Sequence, residues 1–238
     1  MGRYEAVNVE AGTGVAAVDR ALTIAASLEA RAAPMTLAEL AADTGLYKST
    51  LLRLLGSLER SGLVMRRSDQ RYSLGQFAFR LGRAYEATYH LKECVLPLLE
   101  GLVEQGTESA SFHVWNDTAT RLCLFRVDSK HATLDRVRAG DVLPLRRGAA
   151  GKILRAFRNG MPDGVGASLV MASFGERDPQ CAAVAAPVFD GSGQLAGAIS
   201  LSGPLERFSP ENVKRMTRPL LNAAERATRA LGGVWPDE

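Results

Sequence analysis

The chain has 238 residues, 46% of them hydrophobic and 23% charged, with a net charge of +3, which is room for two modest domains with cores of their own. No apolar run approaches the ~18–20 residues of a membrane-spanning helix, and no secretory leader opens the sequence, so the expectation is a cytoplasmic protein away from membranes. Cys94, Cys123 and Cys181 are odd in number and far apart, and His90, His113 and His131 lack zinc-site spacing, which predicts reduced thiols, no metal and no cofactor.

Residues 1–14 carry glycine, few large apolar side chains and no periodicity, and read as a flexible tail. Val18 to Arg31 predicts a helix with Val18, Leu22, Ala25 and Leu28 on its packed side, closed by Pro34. From Thr36 to Leu63 the chain reads as two helices around a tight turn. Thr36 and Glu39 make a capping box, Leu37, Leu40 and Ala41 an apolar face, and Gly45 a stop. In the second helix, Leu51, Leu54, Leu55 and Leu58 cluster on one side. Ser49, Arg53, Gly56 and Arg60 lie opposite, with Lys48 and Thr50 on the flanks. Such a helix is either an ordinary amphipathic surface helix or one anchored in a core with its other face in a major groove.

The residues after Gly62 favour the groove. Val64 to Arg66 and Tyr72 to Leu74 alternate as half-buried strands around Ser68-Asp69-Gln70, a wing with Arg66, Arg67 and Arg71 near its tip. Between Thr44 and Ser73 stand six cations (Lys48, Arg53, Arg60, Arg66, Arg67, Arg71) and two anions (Glu59, Asp69), a local +4 in a chain whose total is +3. Phosphate contacts need that kind of local field. Residues 15–75 therefore read as a winged helix-turn-helix. Tyr47, Lys48, Ser49, Thr50 and Arg53 are placed to meet bases, and the three wing arginines to hold phosphates or enter a minor groove. One recognition helix covers few base pairs, so a homodimer on a (pseudo)palindromic operator in double-stranded DNA is expected.

Residues 76–90 predict a linker helix with Phe77, Leu81, Ala84 and Tyr85 as its stripe and Arg80, Arg83 and Glu86 outward. A second subunit or the helix's own chain would satisfy that stripe equally. Leu91 to Gln105 continues as helix, with Pro97 in a first turn or at a kink. The period then drops to two. Ser109 to Trp115 and Leu122 to Asp128 read as antiparallel strands around Asn116-Asp117, and Thr133 to Arg138 as a third. Gly148-Ala149-Ala150-Gly151 leads into a helix, Ala182 to Phe189 and Gln194 to Ser202 form a hairpin, and Ser209-Pro210 opens a last helix running to about Leu231. Residues 91–232 thus make a second domain, the whole chain is α+β, and 233–238 form a tail.

In order and over nearly the whole length, VDRALTIAASL, TLAELAADTGLYKSTLLRLLGSLERSGLV, RYSLG, GAAGKIL and AAPVFDGSGQLAGAISLSGP resemble the isocitrate-lyase-regulator (IclR) family of bacterial transcription factors. The resemblance implies a sequence-specific DNA-binding regulator rather than an enzyme. It also implies a GAF-like antiparallel sheet domain that binds a small organic or aromatic acid, subunits meeting at the linker helix, and dimers that pair into tetramers. Three stretches match those that line the family's pocket. One is Gly148, Ala149 and Ala150, where small side chains let backbone N–H groups approach an anion. Another is Ser200 and Ser202, two apart on one strand face. The third is Ser173 and Glu176. Tight packing accounts for the first stretch equally well, and edge-strand hydrogen bonding for the serines.

The chain departs from the family in places. Ala183 stands where a cysteine is common; Cys181, two residues earlier on the same face, either lines the pocket or is a core thiol. Tyr47 stands where proline is common, and 158–170 is glycine-rich and short. Two other readings compete. One is an enzyme or ligand-binding protein acting through the second domain, with Ser200, Ser202 or Cys181 as nucleophile, although no Gly-x-Ser-x-Gly elbow is present. The other is a winged helix used only for protein contacts, against which the cationic helix face and wing argue.

Overall fold

The computed structural model describes residues 14–88 (side chains to 85), 91–161 and 168–236. The expected N-terminal tail up to residue 13, the outward side chain of Glu86, residues 89–90 of the linker helix, 162–167 of the glycine-rich stretch and 237–238 lie outside that description. The chain divides into two compact units, Met1–Thr88 and Tyr89–Glu238.

In the first unit α1 (Ala16–Arg31), α2 (Leu37–Thr44) and α3 (Lys48–Arg60) precede a hairpin of β1 (Val64–Arg66) and β2 (Tyr72–Leu74), from which α4 (Gln76–Thr88) departs. The hairpin is antiparallel, and Met35 bridges to Tyr72, tying the entry of α2 to the wing. Helix α2 starts where it does because Thr36 Oγ accepts from the Glu39 N–H at 3.2 Å while the Glu39 carboxylate accepts from the Thr36 N–H at 2.7 Å. Those hydrogen bonds hold the Glu39 carboxyl below its ordinary range. It stops because Gly45, at φ 68°, takes the left-handed turn without a Cβ penalty. Leu51, Leu54, Leu55 and Leu58 of α3 are buried together with Ile24, Leu28, Met35, Leu40, Val64 and Tyr72. Full burial of each large apolar side chain contributes about 1.5–3 kcal/mol, which fixes the rotation of α3 and hence which residues it turns outward.

Helix α1 packs by only part of the expected face. Leu28 is buried as expected and Ala25 half-buried, but Val18 and Leu22 are more than half exposed, and Ile24 and Ser27 are buried in their stead. The helix is apolar on two sides. The inner side is selected by Ile24 and by Ser27, whose hydroxyl bonds the Asp43 carboxylate and lies 3.8 Å from Met35 Sδ. Helix α4 likewise leaves Phe79, Leu81 and Tyr85 72%, 48% and 45% exposed.

The second unit contains α5 (Leu91–Glu104), β3 (Ser109–Trp115), β4 (Thr120–Val127), β5 (Val142–Pro144), α6 (Ala149–Ala156), β6 (Met171–Phe174), β7 (Cys181–Phe189), β8 (Leu195–Pro204) and α7 (Pro210–Ala230). Its sheet runs β5-β4-β3-β8-β7-β6 with every neighbour antiparallel. Period-two alternation gives the sheet two unlike faces. Phe112, Val184, Ala186, Val188, Ile199 and Leu201 pack with Val95, Leu99 and Leu102 of α5 and Met216, Leu220 and Ala224 of α7. On the other face α6 lays Ile153, Leu154 and the adjoining Phe157 over Ala185, Phe189 and Ala198. That cover is partial, and the uncovered part is polar.

The expected strand at Thr133–Arg138 is not one; β5 forms that sheet edge instead. The segment is held largely by side chains rather than by a ladder. Buried Asp135 accepts from Arg126 at 2.5 Å, Val137 is buried, and the Thr133 carbonyl accepts from Arg207 at 2.8 Å. Helix α7 begins at the expected cap, with Ser209 Oγ accepting from the Asn212 N–H at 3.2 Å. Beyond it Gly233 N–H reaches the Thr228 carbonyl at 2.8 Å and Trp235 packs against the core.

Candidate nucleic-acid interface and ligand pocket

The first unit presents a cationic surface because α3 is anchored from one side only. Tyr47 is 85% exposed; Lys48, Ser49 and Arg53 are exposed and Thr50 is half-buried. Leu52 stands 50% exposed among them, an apolar contact suited to a thymine methyl. No side chain caps α3, so its first-turn N–H groups and the positive end of its dipole face the same way as Lys48 and Ser49. The wing arginines differ from one another. Arg66 lies over the Tyr72 ring at 5.7 Å and has no carboxylate partner among the described residues. Arg67 has a loose one, Asp69 at 3.9 Å. Arg71 is tied back to α2, 3.4 Å from Glu39 and 3.3 Å from the Pro34 carbonyl. It braces the wing as much as it faces outward.

In the second unit, pairing between distant strands gathers the inner-face polar residues. Ser109 sits opposite Ser202, Ser111 opposite Ser200, Ala183 opposite Ser202, and Ser173 opposite Ala183. Of these Ser173, Ala183, Ser200 and Ser202 line a cavity with about 30 Å³ of free space. Eight of the nine residues expected there line it: Gly148, Ala149, Ala150, Ser173, Cys181, Ala183, Ser200 and Ser202. Glu176 does not. Its carboxylate pairs with Lys152, which also donates to the Ala172 carbonyl at 2.9 Å, so the residue fastens α6 to β6. The start of α6 can lie close because Gly151 has no side chain; a Cβ there would collide with the Leu145 carbonyl.

The cavity also holds His113, Arg121, Asp135, Arg177 and Asp178, which were not expected. A signal for two of them exists in the strand alternation. Ser111 and His113 share one face of β3, and Arg121 and Cys123 share one face of β4, the face that Ser200 and Ser202 occupy on β8. His113 Nε2 lies 3.0 Å from Ser111 Oγ while its Nδ1 has no partner. Burial, with Arg121, Arg126 and Arg177 nearby, holds the imidazole well below the ordinary histidine range. Arg121, 3% exposed, donates to the carbonyls of Pro144 and Arg147, the latter at 2.8 Å. Burial lowers its guanidinium to about 10. Cys123, on the same face, is pushed up to about 12 by burial, and burial also raises Cys181; neither thiol is an activated nucleophile. Among the described residues no cluster of three or more His, Cys, Asp or Glu side chains could hold a metal, and no helix is long and apolar enough to cross a membrane.

With this geometry in hand, comparison with known proteins is specific at both ends of the chain. Residues 17–68 match the IclR helix-turn-helix domain, and residues 170–229 match the bacterial transcriptional regulator IclR C-terminal domain. The HTH-type transcriptional regulator BhcR of Paracoccus denitrificans is 30% identical over 256 residues, covering 94% of this chain and 90% of that one. Among solved structures, an IclR transcriptional regulator from Silicibacter sp. TM1040 superposes with a TM-score of 0.78 at 21% identity, over 92% of this chain and 98% of that one. An IclR homolog from Microbacterium hydrocarbonoxydans, solved in complex with 4-hydroxybenzoate, gives 0.73 at 18% identity, over 90% and 99%.

Proposed function

The chain belongs to the IclR family of bacterial transcription regulators, and from that premise we propose that it binds an operator as a homodimer and that a small organic acid in the cavity of its second domain sets its affinity. As a family member it is a DNA-binding regulator with a C-terminal effector domain, not an enzyme. The observation that carries the finer reading is the outward face of α3, where Tyr47, Lys48, Ser49, Thr50 and Arg53 stand beside an uncapped helix start. Arg53 is the residue long enough to reach a guanine edge with a bidentate fork, and Arg66 and Arg67 are the wing cations least tied to carboxylates. A dimer is supported by the exposed apolar residues Val18 and Leu22 of α1 and Phe79 and Leu81 of α4, which the first unit's core does not use. Pairing of dimers into tetramers rests on the family alone.

The cavity is polar and, as it stands, tighter than even a small acid needs. Its free space of about 30 Å³ accommodates a water or two, whereas a benzene-sized ring needs on the order of 150 Å³. An aromatic acid such as the one held by the Microbacterium homolog would require α6 or the Thr133–Arg138 segment to move aside. The first-turn N–H groups of Ala149 and Ala150 and the hydroxyls of Ser200 and Ser202 offer hydrogen-bond donors to a carboxylate, with Gly148, Ser173, Cys181 and Ala183 completing the wall. Control of DNA affinity requires that the acid bind the operator-competent and the incompetent arrangement unequally.

The test is a binding titration on DNA from upstream of the gene. Arg53→Ala should weaken specific binding by about 1–3 kcal/mol, or roughly fivefold to 160-fold, while changing affinity for unrelated DNA little. Equal affinity of variant and parent for the specific site would refute the assignment of α3 as the reading helix.

A further inference from the structure

On the inner face of the second unit the carboxylates are engaged by groups other than Arg121, although Asp135 and Asp178 line the same cavity. Asp135 is engaged by Arg126 at 2.5 Å and has Arg177 at 3.7 Å. Asp128 takes Arg126 Nε at 2.6 Å, Glu108 takes Arg207 through two bonds of 2.8 Å, and Glu176 takes Lys152. Asp178 accepts from the Gln180 N–H at 3.0 Å within its own turn. Arg121 remains. It is 3% exposed and has no carboxylate partner among the described residues. Its Nη1 is held by two carbonyls, and its Nε has no partner at all. His113 Nδ1 is unpartnered in the same cavity wall.

The start of α6 adds positive potential at the same place. A Cβ built on Gly148 or Gly151 would stand 3.3 Å from Nη2 or 3.1 Å from Nη1 of Arg121, so the guanidinium lies against the first turn of the helix. A buried cation without a counter-charge costs several kcal/mol, and two carbonyl oxygens offset only part of that. A protein that keeps such a group lining a cavity has left its ion partner to be supplied from outside.

We propose that Arg121 is the residue that reads the charge of the effector: a carboxylate entering this cavity takes the Arg121 guanidinium as its counter-ion, with His113 Nδ1 as a second polar contact. The proposal rests on the reading of the cavity as the effector site. It assigns the choice between an acid and its uncharged analogue to a single residue of β4. Arg121 is a specificity residue, and the Ser200 and Ser202 face positions the remainder of the ligand.

The experiment compares acetate, pyruvate and benzoate with their amides on the full chain, for the parent, Arg121→Gln and Arg121→Lys. The readout is thermal unfolding followed by tryptophan fluorescence, since both tryptophans, Trp115 and Trp235, lie in the second unit. At least one acid should stabilise the parent and bind at least tenfold more tightly than its amide. Arg121→Gln should erase that preference by weakening the acid tenfold or more and leaving the amide unchanged. Arg121→Lys should give an intermediate ratio, because it keeps the charge without the planar fork. If Arg121 only braces the Pro144 and Arg147 carbonyls, acid and amide weaken together and the proposal is overturned; unchanged acid binding in Arg121→Gln overturns it as well. Should Arg121→Gln fail to fold, the acid-to-amide ratio of Arg121→Lys decides, an unchanged ratio being the contrary result. If no acid or amide acts on the parent, the effector reading of the cavity falls, and this assignment with it.

Discussion

His113 makes the stability of the second domain depend on pH in a window where few other groups titrate. The side chain is 4% exposed and kept neutral, because burial and three nearby arginines disfavour its charged form. In the unfolded chain the same imidazole takes a proton near its ordinary value of 6.5. Below that pH the unfolded state binds more protons than the folded one, so stability is full above about 6.5 and falls as the pH drops toward the folded value. With the folded form still neutral, the loss at pH 5.5 is about 1.4 kcal/mol. For a unit of 150 residues that corresponds to roughly 3–6 °C in the midpoint. Asp117, Glu176 and Asp190, whose carboxyls hydrogen bonds hold below their ordinary values of 3.8, 4.5 and 3.8, contribute stability that is lost only at lower pH. The assay is urea unfolding by tryptophan fluorescence at pH 7.5 and 5.5 for the parent and His113→Gln. The parent should lose about 1.4 kcal/mol more than the variant between the two. Equal losses would mean that the imidazole is protonated in the folded domain or that it is not buried in solution.

Gly151→Ala would drive a Cβ into the Leu145 carbonyl and toward Arg121 Nη1. It should destabilise the second domain by about 1–3 kcal/mol and abolish ligand-induced stabilisation in the same fluorescence melt. In the wing, Arg66→Ala should reduce the salt dependence of DNA binding by about two units of slope, one from each subunit of the dimer. Arg71→Ala should instead lower the thermal midpoint of the first unit, measured by far-UV dichroism, because Arg71 is tied to Glu39 and the Pro34 carbonyl.

Much of the fold is local and was legible as such. The Thr36 capping box, the Gly45 stop, the leucine stripe of α3 and the Ser209 cap each need only residues within a turn of one another. The failures lie where a neighbour decides. Helix α1 is apolar on two sides, and only its packing against Asp43 and Met35 selects Ile24 and Ser27 over Val18 and Leu22. Thr133–Arg138 has strand-like composition, yet Asp135 answers to Arg126 and Arg177 rather than to a ladder. At the cavity, the spacing of Ser200 and Ser202 puts them on one strand face, and the family resemblance implies that the face lines a pocket. That Ser111 lies opposite Ser200 depends on β3 pairing with β8, which no local pattern reveals, and His113 and Arg121 are brought in by the same pairings. Glu176 lies off the cavity wall for another reason: Lys152, four residues after Gly148, is close enough to claim its carboxylate.

The most direct test of the whole account is binding of the purified protein to DNA upstream of its own gene, across a salt series, with unrelated DNA alongside. If Lys48, Arg53, Arg66 and Arg67 of each subunit of a dimer contact phosphate or bases, about eight charges are neutralised, and log K should fall against log salt with a slope of roughly −7. The account predicts that slope together with a clear preference for the upstream DNA. Weak binding that is equal on both DNAs, or nearly insensitive to salt, would contradict it.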